Sequence, residues 1–300
     1  MFLCEIPLSS FAVKNDLIFT KNRFYFKHTI MKNRILRSIL MFFLLFATSM
    51  IHAQKQRIFI SKFLPQADTV QVFIPNDPDS LQKKYACVYL LHGWSGSYKS
   101  WGKLLDMQKL SDRYKFIFVC PDGFYNSFYL NSPLEKTMQF ESFFVEELMP
   151  EINKNFRTDT AKTFITGLSM GGHGALTLFF KHSDLFLSAG SSSGVLDLSY
   201  SSQKSKSLAK WLGEFEKNRQ RFYEASAIFL CEKNVNSMKS FILDCGTNDH
   251  LYECNTNFYS KAMKLKLPAV FISMPGDHNA AYWKNSFLFH FDFFYNLANK

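Results

Sequence analysis

Thr163-Phe164-Ile165-Thr166-Gly167-Leu168-Ser169-Met170-Gly171-Gly172-His173-Gly174-Ala175-Leu176 is the stretch on which the reading of this chain turns. A β-rich run enters it, a helix-forming run leaves it, and between them stands the pattern G-x-S-x-G. Alone that pattern is weak. Between a strand and a helix it describes a sharp turn that lifts a serine out of the end of a sheet. Such a turn forces strained dihedrals on Ser169, and glycine at 167 and 171 removes Cβ atoms that would collide with neighbouring chain. It also sets Ser169 at the start of a helix, where unpaired N–H groups and the positive end of the dipole favour a developing anion. Ser169 is therefore the candidate nucleophile.

A serine hydroxyl is a poor nucleophile until a base takes its proton, so a histidine must come from elsewhere in the chain. After a strand-turn-helix of this kind the partners follow in the order acid, then histidine, each on a loop at a strand's carboxyl end. His278, in Pro275-Gly276-Asp277-His278-Asn279, follows the last strand-like run. His182 and His290 lie in helical stretches and read as surface or packing residues. His173, four residues past Ser169 on one helix, should point away from the hydroxyl, and His92 reads as a loop-shaping residue. Three carboxylates compete for the acid. Asp249 is favoured because it lies beyond a strand end, past Gly246, where it can reach the Nδ1 side of His278; Asp244 lies within or at the edge of the strand, and Asp277 shares its backbone with His278. An oxyanion hole would use the N–H of Met170, next to the nucleophile, and that of Trp94 in the loop after the third strand.

Working outward, strand-like runs alternate with helical ones from Arg57 onward, the order that builds a mostly parallel sheet covered by helices. Ile58 to Leu64 and Val70 to Ile74 read as an antiparallel opening pair. Strands follow at Ala86 to Leu91, Phe116 to Cys120, Thr163 to Thr166, Leu185 to Ala189, Ser240 to Leu243 and Ala269 to Ser273. Helices are expected at Met138 to Phe156, from the spacing of Phe140, Phe144, Val145, Leu148 and Ile152, and at Tyr282 to Leu297. The expected fold is α/β, the α/β-hydrolase arrangement of eight strands with helices on both faces. A helical insertion, Val195 to Asn236, falls between strands six and seven, and it either roofs the site or is only a long connection.

With these pieces placed, a resemblance becomes specific. His92-Gly93-Trp94-Ser95-Gly96, Pro121-Asp122-Gly123 with Asn126-Ser127-Phe128-Tyr129 and Asn131-Ser132-Pro133, Gly167 to Leu176, Cys245-Gly246-Thr247-Asn248-Asp249, and Gly276-Asp277-His278-Asn279 with Tyr282-Trp283 together resemble the esterase D family across residues 57 to 297. That family includes feruloyl and acetyl xylan esterases, tributyrin esterases, S-formylglutathione hydrolases and mycolyltransferases. The resemblance implies a serine carboxylesterase in which Ser169, Asp249 and His278 form the triad and Trp94 and Met170 the oxyanion hole. Asn126-Ser127-Phe128-Tyr129 resembles the carbohydrate-ester and tributyrin branch more than the formylglutathione branch. Relatives often carry a bulkier aromatic where Ala280 and Ala281 stand, so the resemblance leaves pocket size open.

The loops after strands three and four also hold Trp94, Trp101, Phe124, Tyr125, Phe128 and Tyr129, whose faces suit flat sugars or phenolic acyl groups or else simply pack the loops. Trp94, Phe128, Tyr129 and Trp283 are the expected substrate-binding residues. The expected substrate is a small-molecule or oligosaccharide ester with a short or aromatic acyl group, acetyl or feruloyl. Alternatives are an acyltransferase using the same acyl-enzyme, an S-formylglutathione hydrolase-like thioesterase, and a noncatalytic binding module.

The first 53 residues have another character. Met31 opens a segment with Lys32, Arg34 and Arg37 and the apolar run Ile39 to Ala47, ending Ile51-His52-Ala53. That reads as a signal peptide over 31–53, cut before Gln54, after an extension at 1–30 with a second start at Met31, so the protein is expected to be exported, periplasmic or secreted. The run is shorter than the about 20 apolar residues of a membrane span, and none is expected after signal removal. Residues 54–300 form the esterase domain. Removing seven basic and two acidic residues with the first 53 leaves 28 basic and 23 acidic, a net charge of +5 in place of +10. Those basic residues are scattered, and no nucleic-acid partner is implied. Of the six cysteines, Cys4 falls in the extension; the other five form no disulfide framework, and Cys231 with Cys254 is the one pairing open in an oxidising compartment. No metal-binding spacing occurs, and neither a metal nor another cofactor is expected.

Overall fold

Seven consecutive buried residues make up β3 (Tyr85–Leu91), as a strand hidden on both faces requires. Its side chains alternate: Cys87, Tyr89 and Leu91 enter one apolar cluster, and Ala86, Val88 and Leu90 enter another on the opposite face. The computed structural model describes residues 54–77, 82–202, 206–236 and 239–300. The signal and extension expected at 1–53 lie outside the described residues.

Eight strands form one sheet in the order β1-β2-β4-β3-β5-β6-β7-β8. They are β1 (Gln54–Phe59), β2 (Asp68–Phe73), β3, β4 (Phe116–Pro121), β5 (Thr158–Gly167), β6 (Ser188–Ser192), β7 (Phe241–Gly246) and β8 (Ala269–Met274). β1 and β2 pair antiparallel, β2 joins β4 antiparallel, and every later neighbour is parallel. This is the α/β-hydrolase arrangement. Strand order reverses around β3, so the loops that follow β3 and β5 face each other across a switch point, where such sheets open a crevice at their carboxyl ends.

On one face α1 (Ser100–Leu104), α2 (Met107–Tyr114) and the closing helix, labelled α11 below (Ala280–Ala298), cover the sheet with Trp101, Met107, Leu110, Phe287, Phe291 and Phe294. The other face carries α3 (Phe140–Phe143), α4 (Met149–Asn155), α5 (Met170–Lys181) and the insertion of α6 (Leu198–Ser202), α7 (Lys206–Leu212), α8 (Phe215–Glu224) and α9 (Ala227–Leu230). It also carries α10 (Tyr252–Lys264). Phe144–Leu148 is a π turn joining α3 to α4, where a single α-helix was expected. The cause is Pro150, at the start of α4: its ring would meet the carbonyl of residue 146 in a regular α-helix, and the wider turn relieves that contact.

β5 begins at Thr158, five residues before the expected Thr163, and β7 runs three residues past the expected Leu243; two further strands are displaced. β1 covers Gln54–Phe59 and not Ile58 to Leu64, because it is an edge strand paired only to β2; Ile58 and Ile60 are left exposed, so their apolar character misleads. β6 covers Ser188–Ser192 and not Leu185 to Ala189. Its serines are wholly buried, and hydrogen bonds hold two of the three: Ser188 Oγ donates to the Ser240 carbonyl at 2.6 Å and Ser192 Oγ to Asp244 at 2.8 Å, while Ser191 Oγ has no partner among the described residues. Cys87, Cys120, Cys231, Cys245 and Cys254 are all buried free thiols, so Cys231 and Cys254 do not pair.

Candidate active site

Ser169 connects β5 to α5 with φ 54° and ψ −116°, a conformation an L-residue adopts only when its surroundings hold it. They do so tightly. A Cβ on Gly171 would stand 2.0 Å from the Leu91 carbonyl oxygen, and one on Gly167 would stand 2.4 Å from the Gly171 backbone. The Ser169 N–H donates to the Ser192 carbonyl at 2.9 Å, which ties the turn to β6. With the backbone so fixed, the hydroxyl faces a pocket of about 360 Å³.

Loops after β7 and β8 bring the other two members. Ser169 Oγ lies 3.0 Å from His278 Nε2, and His278 Nδ1 lies 2.9 Å and 3.1 Å from the two oxygens of Asp249. A carboxylate only accepts, so Nδ1 carries the proton and Nε2 presents a lone pair to the serine hydroxyl. Asp249 has no exposed side-chain surface. Burial pushes its carboxyl pKa up, but the hydrogen bond from His278, that from the Leu251 N–H and that from Ser193 outweigh burial and hold it below the usual carboxylate range. Asp249 is therefore an anion in place to orient the imidazole and to stabilise it once protonated.

Trp94, Leu168, Ala280 and Trp283 line the pocket with Ser169 and His278. The Trp283 ring meets that of His278 edge-on at 4.9 Å, and its Nε1–H donates to Ser193 Oγ at 3.2 Å. No hydrogen-bond acceptor for the N–H of Trp94 or of Met170 is found among the described residues. Two free amides beside a serine can receive an oxyanion.

Of the four expected substrate-binding residues, Trp94 and Trp283 line this pocket. Phe128 and Tyr129 do not reach this pocket. Both are left-handed (φ 52° and 58°), which turns their rings into the core, at 5% and 1% exposure. Tyr129 OH donates to the His92 carbonyl at 2.8 Å, and its ring lies where a Cβ on Gly174 would stand, 2.5 Å away. Of the six loop aromatics only Trp94 and Tyr125 are exposed, meeting edge-on at 4.6 Å. His173 points away from Ser169 and spans the carbonyls of Phe128 and Ala225, at 3.0 Å and 2.8 Å. None of the insertion's described residues lines the Ser169 pocket; its Lys210 and Trp211 wall a neighbouring cleft of about 480 Å³ with Tyr125 and Asn126.

Ser193 and Leu251 were not foreseen. For Leu251 a signal existed, since an aspartate often accepts from the amide two residues on, here at 2.8 Å. Ser193 gave none, because its role depends on which loops the sheet brings together.

A sequence profile described as "Putative esterase" matches residues 61–293. An acetyl esterase of Caldicellulosiruptor saccharolyticus is 27% identical over 245 residues, which is 75% of this chain and 91% of that protein. An S-formylglutathione hydrolase of Arabidopsis thaliana is 28% identical over 190 residues, 61% of this chain and 64% of its own length. Among solved structures, a ferulic acid esterase superposes with a TM-score of 0.70 at 25% identity, covering 81% of this chain and 97% of its own.

Proposed function

The chain belongs to this esterase family, and from that premise we propose that it is a serine carboxylesterase working through an acyl-enzyme on short or aromatic acyl esters of carbohydrates. One observation carries the mechanism: Ser169 Oγ, His278 and the buried Asp249 are in hydrogen-bonded series at 3.0 Å and 2.9 Å, at the wall of an open pocket. As Ser169 attacks the ester carbonyl, His278 Nε2 takes its proton, and the Met170 and Trp94 amides receive the oxyanion. His278 then returns the proton to the leaving alcohol. Water, activated by the same nitrogen, releases the acid and frees Ser169.

Support for the substrate is threefold. The pocket volume, about 360 Å³, is at the small end for ligand sites and fits a short acyl or single phenolic group. Exposed Trp94 and Tyr125 offer faces to a sugar leaving group at the pocket mouth. Similarity to an acetyl esterase and a ferulic acid esterase points the same way. Export, inferred from residues 31–53, would remove the protein from a cytosolic thioester and supply it with extracellular esters.

A panel of esters tests this. Acetate or ferulate should be released from decorated xylan fragments, with short acyl chains preferred, and a fluorophosphonate should label Ser169. Hydrolysis of long-chain triglyceride with no action on a sugar ester would refute the substrate class, and an unlabelled, inactive protein would refute the mechanism.

A further inference from the structure

We propose that Asp249, His250 and His278 form a binding site for a zinc-class transition-metal ion that reversibly silences the serine. His250 directly follows Asp249 and keeps 68% of its side chain exposed, while the Asp249 side chain is fully buried. Its Nδ1 lies 3.5 Å from Asp249 Oδ1, and His278 Nδ1 lies 3.1 Å from that same oxygen. One donor atom from each of the three residues lies within 4.8 Å of the others. Ligand atoms held about 2.0–2.2 Å from a tetrahedral ion are separated by about 3.4 Å, a value that the two spacings to Asp249 Oδ1 bracket. The rings of His250 and His278 meet at 4.5 Å and 62° on the same carboxylate.

Two imidazoles and one carboxylate suit zinc and its neighbours, whereas magnesium and calcium call for more oxygen. His250 takes no part in the proposed reaction. Coordination needs the Nδ1 lone pair of His278, and the proton that Nδ1 carried moves to Nε2. Nε2 then holds a proton where it must accept one from Ser169. Metal binding and activation of the serine are therefore mutually exclusive, the one covalent change is the transfer of that proton from Nδ1 to Nε2, and a chelator reverses the state. Only the effect on activity rests on the esterase reading; binding of the ion does not.

Zinc chloride titrated calorimetrically into untagged protein at neutral pH should give one ion per chain, and magnesium chloride no signal. His250→Phe should weaken zinc binding by on the order of tenfold or more, the least that even an outer-shell partner contributes. In a parallel assay on nitrophenyl acetate, zinc should inhibit the wild type, EDTA should restore it, and His250→Phe should keep the metal-free rate while needing roughly tenfold more zinc for the same inhibition. Equal zinc affinity in the wild type and His250→Phe, or no zinc binding by the wild type, would overturn the site. A wild type that binds zinc through His250 but hydrolyses no ester would support the site and refute the esterase mechanism.

Discussion

Two sets of hydroxyl, imidazole and carboxyl are anchored by the same part of the sheet. Outside it, Ser169, His278 and Asp249 follow the ends of β5, β8 and β7; inside, Thr166, His290 and Asp244 come from β5, α11 and β7. The inner distances are as short as the outer: Thr166 Oγ1 is 2.8 Å from His290 Nδ1, and His290 Nε2 is 2.7 Å from Asp244. Hydrogen-bond geometry does not tell the two apart. What differs is access and strain. All three inner residues are wholly buried and Thr166 lies in regular strand, whereas Ser169 is held at φ 54° facing a pocket. The imidazole is also reversed, since His290 offers Nε2 to its acid and His278 offers Nδ1. Inside, then, the same chemistry fastens β5, β7 and α11, and through Ser192 it reaches the carbonyl that receives the Ser169 N–H.

Substitutions on the two sets should separate cleanly. Ser169→Ala should lower kcat on nitrophenyl acetate by about 10⁴-fold or more with the thermal midpoint unchanged. Turnover near wild type would end the distinction between the sets. Asp249→Asn should cost about 10⁴-fold, since the tautomer of His278 is then no longer fixed, again in a folded protein. Asp244→Ala should act on stability instead, by about 3–5 kcal/mol in denaturant titrations, because it strips a buried His290 of its partner. A larger loss of kcat in Asp244→Ala than in Asp249→Asn, measured where both are folded, would move the acid to Asp244. Thr166→Val leaves His290 Nδ1 unpaired and should cost about 1–3 kcal/mol of stability with little change in rate.

The smallest effect is in pH. Hydrogen bonds hold the Asp249 carboxyl below its usual value, so the stability it contributes is present above the unfolded-state pKa and is lost as pH falls through the lower native one. The difference in thermal midpoint between wild type and Asp249→Asn should therefore narrow in acid. A constant difference from neutral pH to below the ordinary carboxylate range would contradict the depressed pKa.

The outer set was legible because each member carries a local mark: glycines around Ser169, a strand end before Asp249, another before His278. The inner set was not. Thr166 and Asp244 resemble any polar residue at the end of a strand, and His290 any histidine on a helix; their meeting depends on Gly190, where a Cβ would lie 2.4 Å from His290 Nδ1. Strand runs of Leu, Val and Ile were found from the sequence, but β6, with its buried serines, was placed three residues early because small polar side chains mimic a loop until their hydrogen bonds are known. Phe128 and Tyr129 were assigned to the substrate from their place among the loop aromatics, whereas both have φ above zero and their rings are buried.

Seen as a landscape for mutation, the turn at Ser169 is a cliff. Any side chain at 171 meets the Leu91 carbonyl oxygen at 2.0 Å, a backbone atom that cannot step aside, so the chemistry has no neighbouring variant to drift toward. The pocket rim is a gentle slope by contrast: Ala280 is exposed at the first turn of α11, where bulk can be added without disturbing the core. A lineage carrying this architecture can change the esters it accepts many times over while the attacking atom stays where it is.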